Sequence, residues 1–317
     1  MKKFLHAGFL FVLPPLLLFL AATAVEWHCF RRALRCPDCT VGLIGDSHPQ
    51  CAVDPAAGFP ELANFAQRTS KPMVWRAKLP VILDENPQIK TFLIEISPEN
   101  YFGSAGEPPS VRARFTRGHI RATSLLDIMK TREMGGLPNV DFSRNVLRGI
   151  VFPFVARCVT KSEKSALQEG FYPLDHFVKE TPWWGDGGVV KKPDFVLLPP
   201  TQNQNRREIE DCIRLLQDRN VQPVLLTCPL WAYWKERAVP ADVWDRFVLE
   251  MHELAKAHGC PWIDMSESVP DDAMWADATH LNRQGAACYT VLLADALRPW
   301  REARPDPADA VREGRDR

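Results

Sequence analysis

Two short stretches hold the residue types best suited to nucleophilic chemistry. Gly42-Leu43-Ile44-Gly45-Asp46-Ser47 ends an apolar run on a serine, and Trp275-Ala276-Asp277-Ala278-Thr279-His280-Leu281-Asn282 sets an aspartate three residues before a histidine. A serine hydroxyl is a poor nucleophile until a neighbouring base takes its proton. An imidazole titrates close enough to neutrality to be that base. Asp277 and His280 are spaced to share one turn, so that the carboxylate can orient the ring toward a serine. Each stretch alone has a plainer reading: a Ser or Asp capping the next helix, or an Asp–His pair at a surface. Together, one after the first strand and one before the last helix, they point to a single site.

To meet, these residues need a scaffold that returns the end of the chain to its beginning. Thr40–Ile44, Thr91–Ile96, Phe195–Leu198, Pro223–Thr227 and Pro261–Met265 read as strands with little polar interruption, as a sheet covered on both faces requires. Helical patterns lie between or after them. They span Pro72–Leu83 (with Pro80 as a flaw), Asn205–Arg219, Ala241–His258 and Asn282–Leu297, the last with Asn282 as N-cap. Alternation of this kind predicts a mostly parallel α/β sheet. Ser47 then sits at the carboxyl end of the first strand, where such sheets open their crevice. Gly45 permits a tight exit turn, and the N–H groups after it could face an oxyanion. Residues 101–190 break the rhythm, with helices expected near Thr123–Lys130 and Phe142–Val159, and read as an insertion or lid-like region.

The composition narrows the partners. The 317 residues carry 39 basic and 39 acidic side chains, and 46 % are hydrophobic. That balance excludes a basic nucleic-acid binder and wholesale disorder. Residues 4–25, FLHAGFLFVLPPLLLFLAATAV, are uncharged and follow Lys2 and Lys3. They are long enough to span a bilayer and predict a membrane anchor, or a signal segment cleaved after Ala24. Without residues 1–25 the remainder has 37 basic against 39 acidic side chains. Residues 26–39 form a juxtamembrane linker with Cys36 and Cys39 as a CxxC, residues 40–300 the α/β domain, and residues 301–317 a disordered polar tail. Of the nine cysteines, the CxxC suits a disulfide, with Cys29 or Cys51 as further partners. Cys212, Cys228, Cys260 and Cys288 fall in apolar patterns that predict buried thiols.

The first-strand G-D-S and late D-x-x-H-L-N resemble the SGNH/GDSL superfamily of serine hydrolases over about residues 38–300. The resemblance implies a flavodoxin-like three-layer sandwich, with Ser47 as nucleophile, His280 as general base and Asp277 as orienting carboxylate. It implies oxyanion donors from the Ser47 backbone, a backbone N–H after the second strand, and an asparagine side chain after the third. Leu62–Thr69 resembles the second of these segments with both family glycines replaced, by Ala66 and Thr69, leaving the Thr69 backbone as donor. Asn100 in Ser97-Pro98-Glu99-Asn100 matches the third one position out of register, and its alternative is a strand-end turn residue. Gly45–Pro49, Thr227–Pro229 and Asp277-x-x-His280-Leu281-Asn282-x-x-Gly285 look similar to membrane-anchored bacterial members of envelope and polysaccharide modification. This implies a single-pass protein of the cytoplasmic membrane with its domain on the periplasmic side.

Among other residues, His48 could touch substrate or turn to solvent from a loop. Trp231, Tyr233 and Trp234, after the fourth strand at the same sheet edge, are substrate-wall candidates. Trp183 and Trp184 could form an aromatic platform for a sugar ring or pack the insertion. The expected activity is ester hydrolysis or O-acyl transfer on an envelope glycan or similar acylated substrate through an acyl-Ser47 intermediate, with no metal or organic cofactor and a membrane acyl-transfer enzyme as possible partner. The alternative is a catalytically weak or inactive scaffold that binds glycan.

Overall fold

The computed structural model describes residues 17, 21, 24, 28, 31–68, 70–103, 172–175 and 195–302. The apolar segment 4–25 is described only at three separate positions; Thr69, the helices expected near 123–130 and 142–159, Trp183, Trp184 and the tail beyond 302 lie outside the described residues. Among the described residues, no helix is long and apolar enough to cross a membrane. They fall into two compact units.

The larger unit holds residues 37–72, 88–103, 172–175 and 195–302. Its centre is a sheet of five strands: β1 (Val41–Ile44), β2 (Leu62–Asn64), β3 (Thr91–Glu95), β4 (Gln222–Thr227) and β5 (Trp262–Asp264). The order is β2-β1-β3-β4-β5 and every pairing is parallel, Gly42 facing Ala63 on one side and Phe92 on the other. The α/β expectation therefore holds, with the flavodoxin-like strand order. β1 and β3 are buried at every position, as continuous apolar runs demand when both faces are covered.

Helices α1 (Ser47–Ala52), α3 (Pro98–Phe102), α4 (Gln204–Asp218), α5 (Ala232–Ala238), α6 (Ala241–His258) and α7 (Arg283–Glu302) complete this unit; α2 belongs to the smaller one. From β1 the chain crosses to one edge, and from β3 through β4 to β5 it crosses toward the other. Because parallel crossovers are right-handed, the two directions put their helices on opposite faces. Two packed groups result, α1 with α7 and α3 with α4 and α6. In α7 the buried residues Ala286, Tyr289, Leu293 and Leu297 recur at helical spacing. That helix starts where its sequence says, with the Asn282 carboxamide oxygen accepting from Gly285 N–H at 3.0 Å.

Two expectations are corrected. Phe195–Leu198 is not a strand of the sheet, and Leu198 is exposed. Pro199 and Pro200 directly follow it, and proline cannot donate to a ladder. The second strand is instead Leu62–Asn64, whose three residues are too few to show a period. The cysteines are also redistributed. Cys36 and Cys39 are each disulfide-bonded, as expected, whereas Cys51 is a buried free thiol and Cys288 is exposed rather than buried.

The smaller unit joins residues 31–36 to Met73–Pro87. Its helix α2 (Pro72–Glu85) carries Pro80 in its interior. Arg31 and Arg35 both pair with Glu85. Asn86, fully buried, accepts from Cys36 N–H at 2.7 Å and donates to the Leu34 and Ile82 carbonyls at 2.8 Å each. One side chain thus satisfies three backbone groups that would each cost about 1–3 kcal/mol if left buried and unpaired.

Candidate active site

The carboxyl ends of β1 and β3 and the loop before α7 come together in the larger unit. β1 leaves the sheet through Gly45, where a Cβ would stand 2.5 Å from Pro49 Cγ and 2.8 Å from Glu95 Cβ. The glycine is there for closeness, since no side chain fits between the turn and β3. Asp46 follows as N-cap of α1, its Oδ1 accepting from His48 N–H at 2.8 Å. The capping reading of Asp46 and the nucleophile reading of Ser47 are thus compatible. The cap fixes the turn that presents Ser47 half-buried at the first position of α1.

The late motif folds as the spacing predicts. Trp275, fully buried, anchors a bridge to Leu281, and Ala276 N–H donates to the His280 carbonyl at 2.9 Å. This closes a turn around Asp277. Its Oδ1 accepts from the Thr279 and His280 N–H groups at 2.8 and 2.9 Å, and His280 Nδ1 lies 2.8 Å from both carboxylate oxygens. Burial alone would raise Asp277, but the imidazole and these donors hold it down at about 2. Asp277 therefore fixes the ring and leaves Nε2 for proton transfer. That Nε2 is buried and has no hydrogen-bond partner among the described residues, so the Ser47 hydroxyl is not hydrogen-bonded to it in this state.

A second dyad, which motif reading missed, lies beside the first. His48 is buried, not turned to solvent, with Nδ1 2.8 Å from Asp46 Oδ1. Its Nε2 is also buried without a partner among the described residues, and its ring centroid is 5.8 Å from that of His280. Burial opposes charge on both groups of this dyad. Their attraction and hydrogen bonds prevail, holding Asp46 at about 2 and raising His48 to about 10, with Glu95 and Glu99 adding to the latter. The available signal was Asp46-x-His48 at the start of a helix, which lets a cap also bond a ring two residues on.

Glu95, at the end of β3, is wholly buried. Burial and the neighbouring Asp46 push its carboxyl well above the ordinary range, while His48 and Asn100 pull it back. Its Oε2 accepts from Asn100 Nδ2 at 3.0 Å. Asn100 is itself fully buried in a capping box, its Oδ1 accepting from Ser97 N–H at 2.9 Å. The structure therefore puts Asn100 in the strand-end turn, with its amide engaged by Glu95. Among the described residues, Asp46, His48 and Glu95 form the one group whose potential metal-ligand atoms lie within 4.8 Å of one another. The Asp46–His48 pair and the hydrogen bond from Asn100 to Glu95 hold these three groups in place.

Two of the three aromatic candidates are buried and Tyr233 is half-buried. Trp231 donates from Nε1 to Asp272 at 2.7 Å, and the Tyr233 ring lies 4.8 Å from that of Trp231, tilted by 30°. Of the region read as insertion, residues 172–175 lie against the site's helices. Tyr172 N–H donates to the Gln50 carbonyl in α1 at 2.8 Å, and Arg283 N–H of α7 donates to the Leu174 carbonyl at 2.9 Å.

No family model and no curated protein matches the chain. Among solved structures, one of a protein provisionally described as a platelet activating factor from Streptococcus pneumonia covers 91 % of this chain and 98 % of its own, at 11 % identity and a TM-score of 0.40. Another, provisionally described as an acylhydrolase from Bacteroides fragilis, covers 85 % and 92 % at 10 % identity and the same TM-score. Likeness of that degree does not establish a shared fold, so the functional reading rests on the site itself.

Proposed function

We propose that the protein is an SGNH-type serine hydrolase or O-acyltransferase that works through an acyl-Ser47 intermediate. The observation that carries this reading is the Asp277–His280 dyad, whose unpartnered Nε2 belongs to a ring 5.8 Å from that of the residue following Ser47. His280 takes the Ser47 proton as Oγ bonds to an ester carbonyl carbon. It returns that proton to the departing alkoxide, then activates the water or sugar hydroxyl that resolves the acyl-enzyme. Hydrogen bonds of this kind are often long before substrate binds, which accommodates a Ser47 not yet bonded to His280. We further propose an acylated envelope glycan as substrate, and attachment to the cytoplasmic membrane through residues 4–25 with the domain outside the cytoplasm. Those two parts rest on the sequence resemblance and the apolar segment.

The test is labelling with a fluorophosphonate, which phosphonylates activated serines. The wild-type chain should be labelled and Ser47→Ala should not. An unlabelled wild type beside reactive control hydrolases, or labelling that survives in Ser47→Ala, would refute the mechanism. A second reading has one observation in its favour, the engagement of Asn100 with Glu95. In that reading the chain is a non-catalytic glycan-binding scaffold, which predicts undiminished polysaccharide binding and no label.

A further inference from the structure

If Ser47 is acylated as proposed above, the tetrahedral intermediate needs donors for its oxyanion, and the side-chain donor implied by resemblance is engaged elsewhere. Asn100 is fully buried, with its carboxamide oxygen accepting from Ser97 N–H and its amide donating to Glu95. His48 offers a replacement. We propose that His48, held by Asp46, donates its Nε2–H to the oxyanion formed at Ser47.

Three observations on the described residues support this assignment. First, the ring orientation is fixed, because Nδ1 bonds Asp46 Oδ1 at 2.8 Å and the side chain is only 4 % exposed. Second, Nε2 is buried and makes no hydrogen bond. A buried donor left unmade is costly, and a preorganised donor at a reacting centre is where such a cost is repaid by transition-state charge. Third, His48 is next in sequence to the nucleophile, and its ring lies 5.8 Å from the ring of the base, tilted by 32°.

The two histidines thus divide the work by charge. The groups acting on His48 are Asp46, Glu95 and Glu99, all of which favour its protonated form against the opposing effect of burial. It stays an imidazolium across neutral pH and is unsuited to be the base. His280, whose Nδ1 bonds Asp277, takes the proton. In the addition step the Ser47 Oγ–H proton passes to His280 Nε2, the Oγ–C bond forms, and the carbonyl π pair moves onto oxygen. That oxygen accepts from His48 Nε2–H. On collapse the pair returns to the carbonyl, the bond to the leaving oxygen breaks, and His280 protonates the leaving group. His48 keeps its proton throughout.

The experiment follows the rate of Ser47 acylation by an activated ester in the wild type, His48→Phe and His48→Gln, with fluorophosphonate labelling and circular dichroism in parallel. Loss of the donor in His48→Phe should slow acylation by about 10²–10³-fold with KM changed only a few-fold. Gln, which restores an N–H near the same place, should recover at least about tenfold of that loss. A folded His48→Phe that acylates at the wild-type rate, while Ser47→Ala is inert, would overturn the role of His48 and leave the Ser47 mechanism standing. An inert wild type would overturn both. Should His48→Phe fail to fold, nuclear magnetic resonance on the histidine-¹⁵N-labelled wild type decides. Phosphonylation, whose oxygen mimics the oxyanion, should move the His48 Nε2–H resonance downfield, and an adduct that leaves it unchanged would overturn the proposal.

Discussion

Asp277 is the residue on which the proposed base depends, since it accepts from two backbone N–H groups while holding His280 Nδ1. Asp277→Asn would present an amide where the ring needs an acceptor of charge, and His280→Ala would remove the base outright. Each should lower the acylation rate by about 10²–10⁴-fold, measured by pre-steady-state ester turnover, with far-ultraviolet spectra unchanged. Glu95 makes a prediction of the opposite kind. Its folded-state pKa lies above its ordinary value, so its contribution to stability is in place below about pH 4.5 and is lost as pH rises. Glu95→Gln keeps the polar shape without the ionisation cost. Its melting temperature should therefore gain on the wild type as pH rises above about 5, and a constant or reversed difference would contradict the assignment. Asp46 and His48 share one ion pair. With Asp46 near 2 and His48 near 10, the stability it supplies is complete between about pH 4 and 6.5. It fades as acid nears the lower value and as alkali passes through the higher one.

At the scale of elements, the prediction concerns the close approach of β1, α1 and β3. A methyl at Gly45 would meet Pro49 Cγ at 2.5 Å and Glu95 Oε2 at 2.9 Å. Gly45→Ala should cost about 1–3 kcal/mol of stability, read from denaturant midpoints, and should slow acylation further by shifting the cap that presents Ser47. Elements were legible where the period was long or the punctuation strong. α6 was expected and found at Ala241–His258, and the Asn282 cap of α7 was readable from one side chain. β2 was not, because three residues carry no alternation, and Phe195–Leu198 mimicked a strand because apolar composition does not report whether a ladder partner exists. In the site, Ser47, Asp277 and His280 stood out by type and spacing. The His48–Asp46 bond did not, because a side chain beside a nucleophile looks like any loop residue until burial is known. The engagement of Asn100 was equally hidden, since it depends on Glu95, five residues away on another element.

For the whole molecule, the zero formal charge of 317 residues predicts little long-range steering, so activity toward a neutral ester should vary only modestly between low and physiological salt. Our proposal of attachment through residues 4–25 makes a separate prediction. The full chain should sediment with membranes and resist alkaline extraction, whereas a chain lacking residues 1–25 should not, and equal partitioning of both would contradict it. The proposed mechanism turns on one covalent bond, formed at Ser47 just beyond the end of β1. It is tested most directly by peptide mass spectrometry of the intact chain quenched during turnover of an activated acetyl ester. The acyl-Ser47 mechanism predicts an acetyl adduct on Ser47 that accumulates in the wild type and is absent from Ser47→Ala and His280→Ala. Turnover with no adduct on Ser47, or with the adduct on another residue, would contradict it.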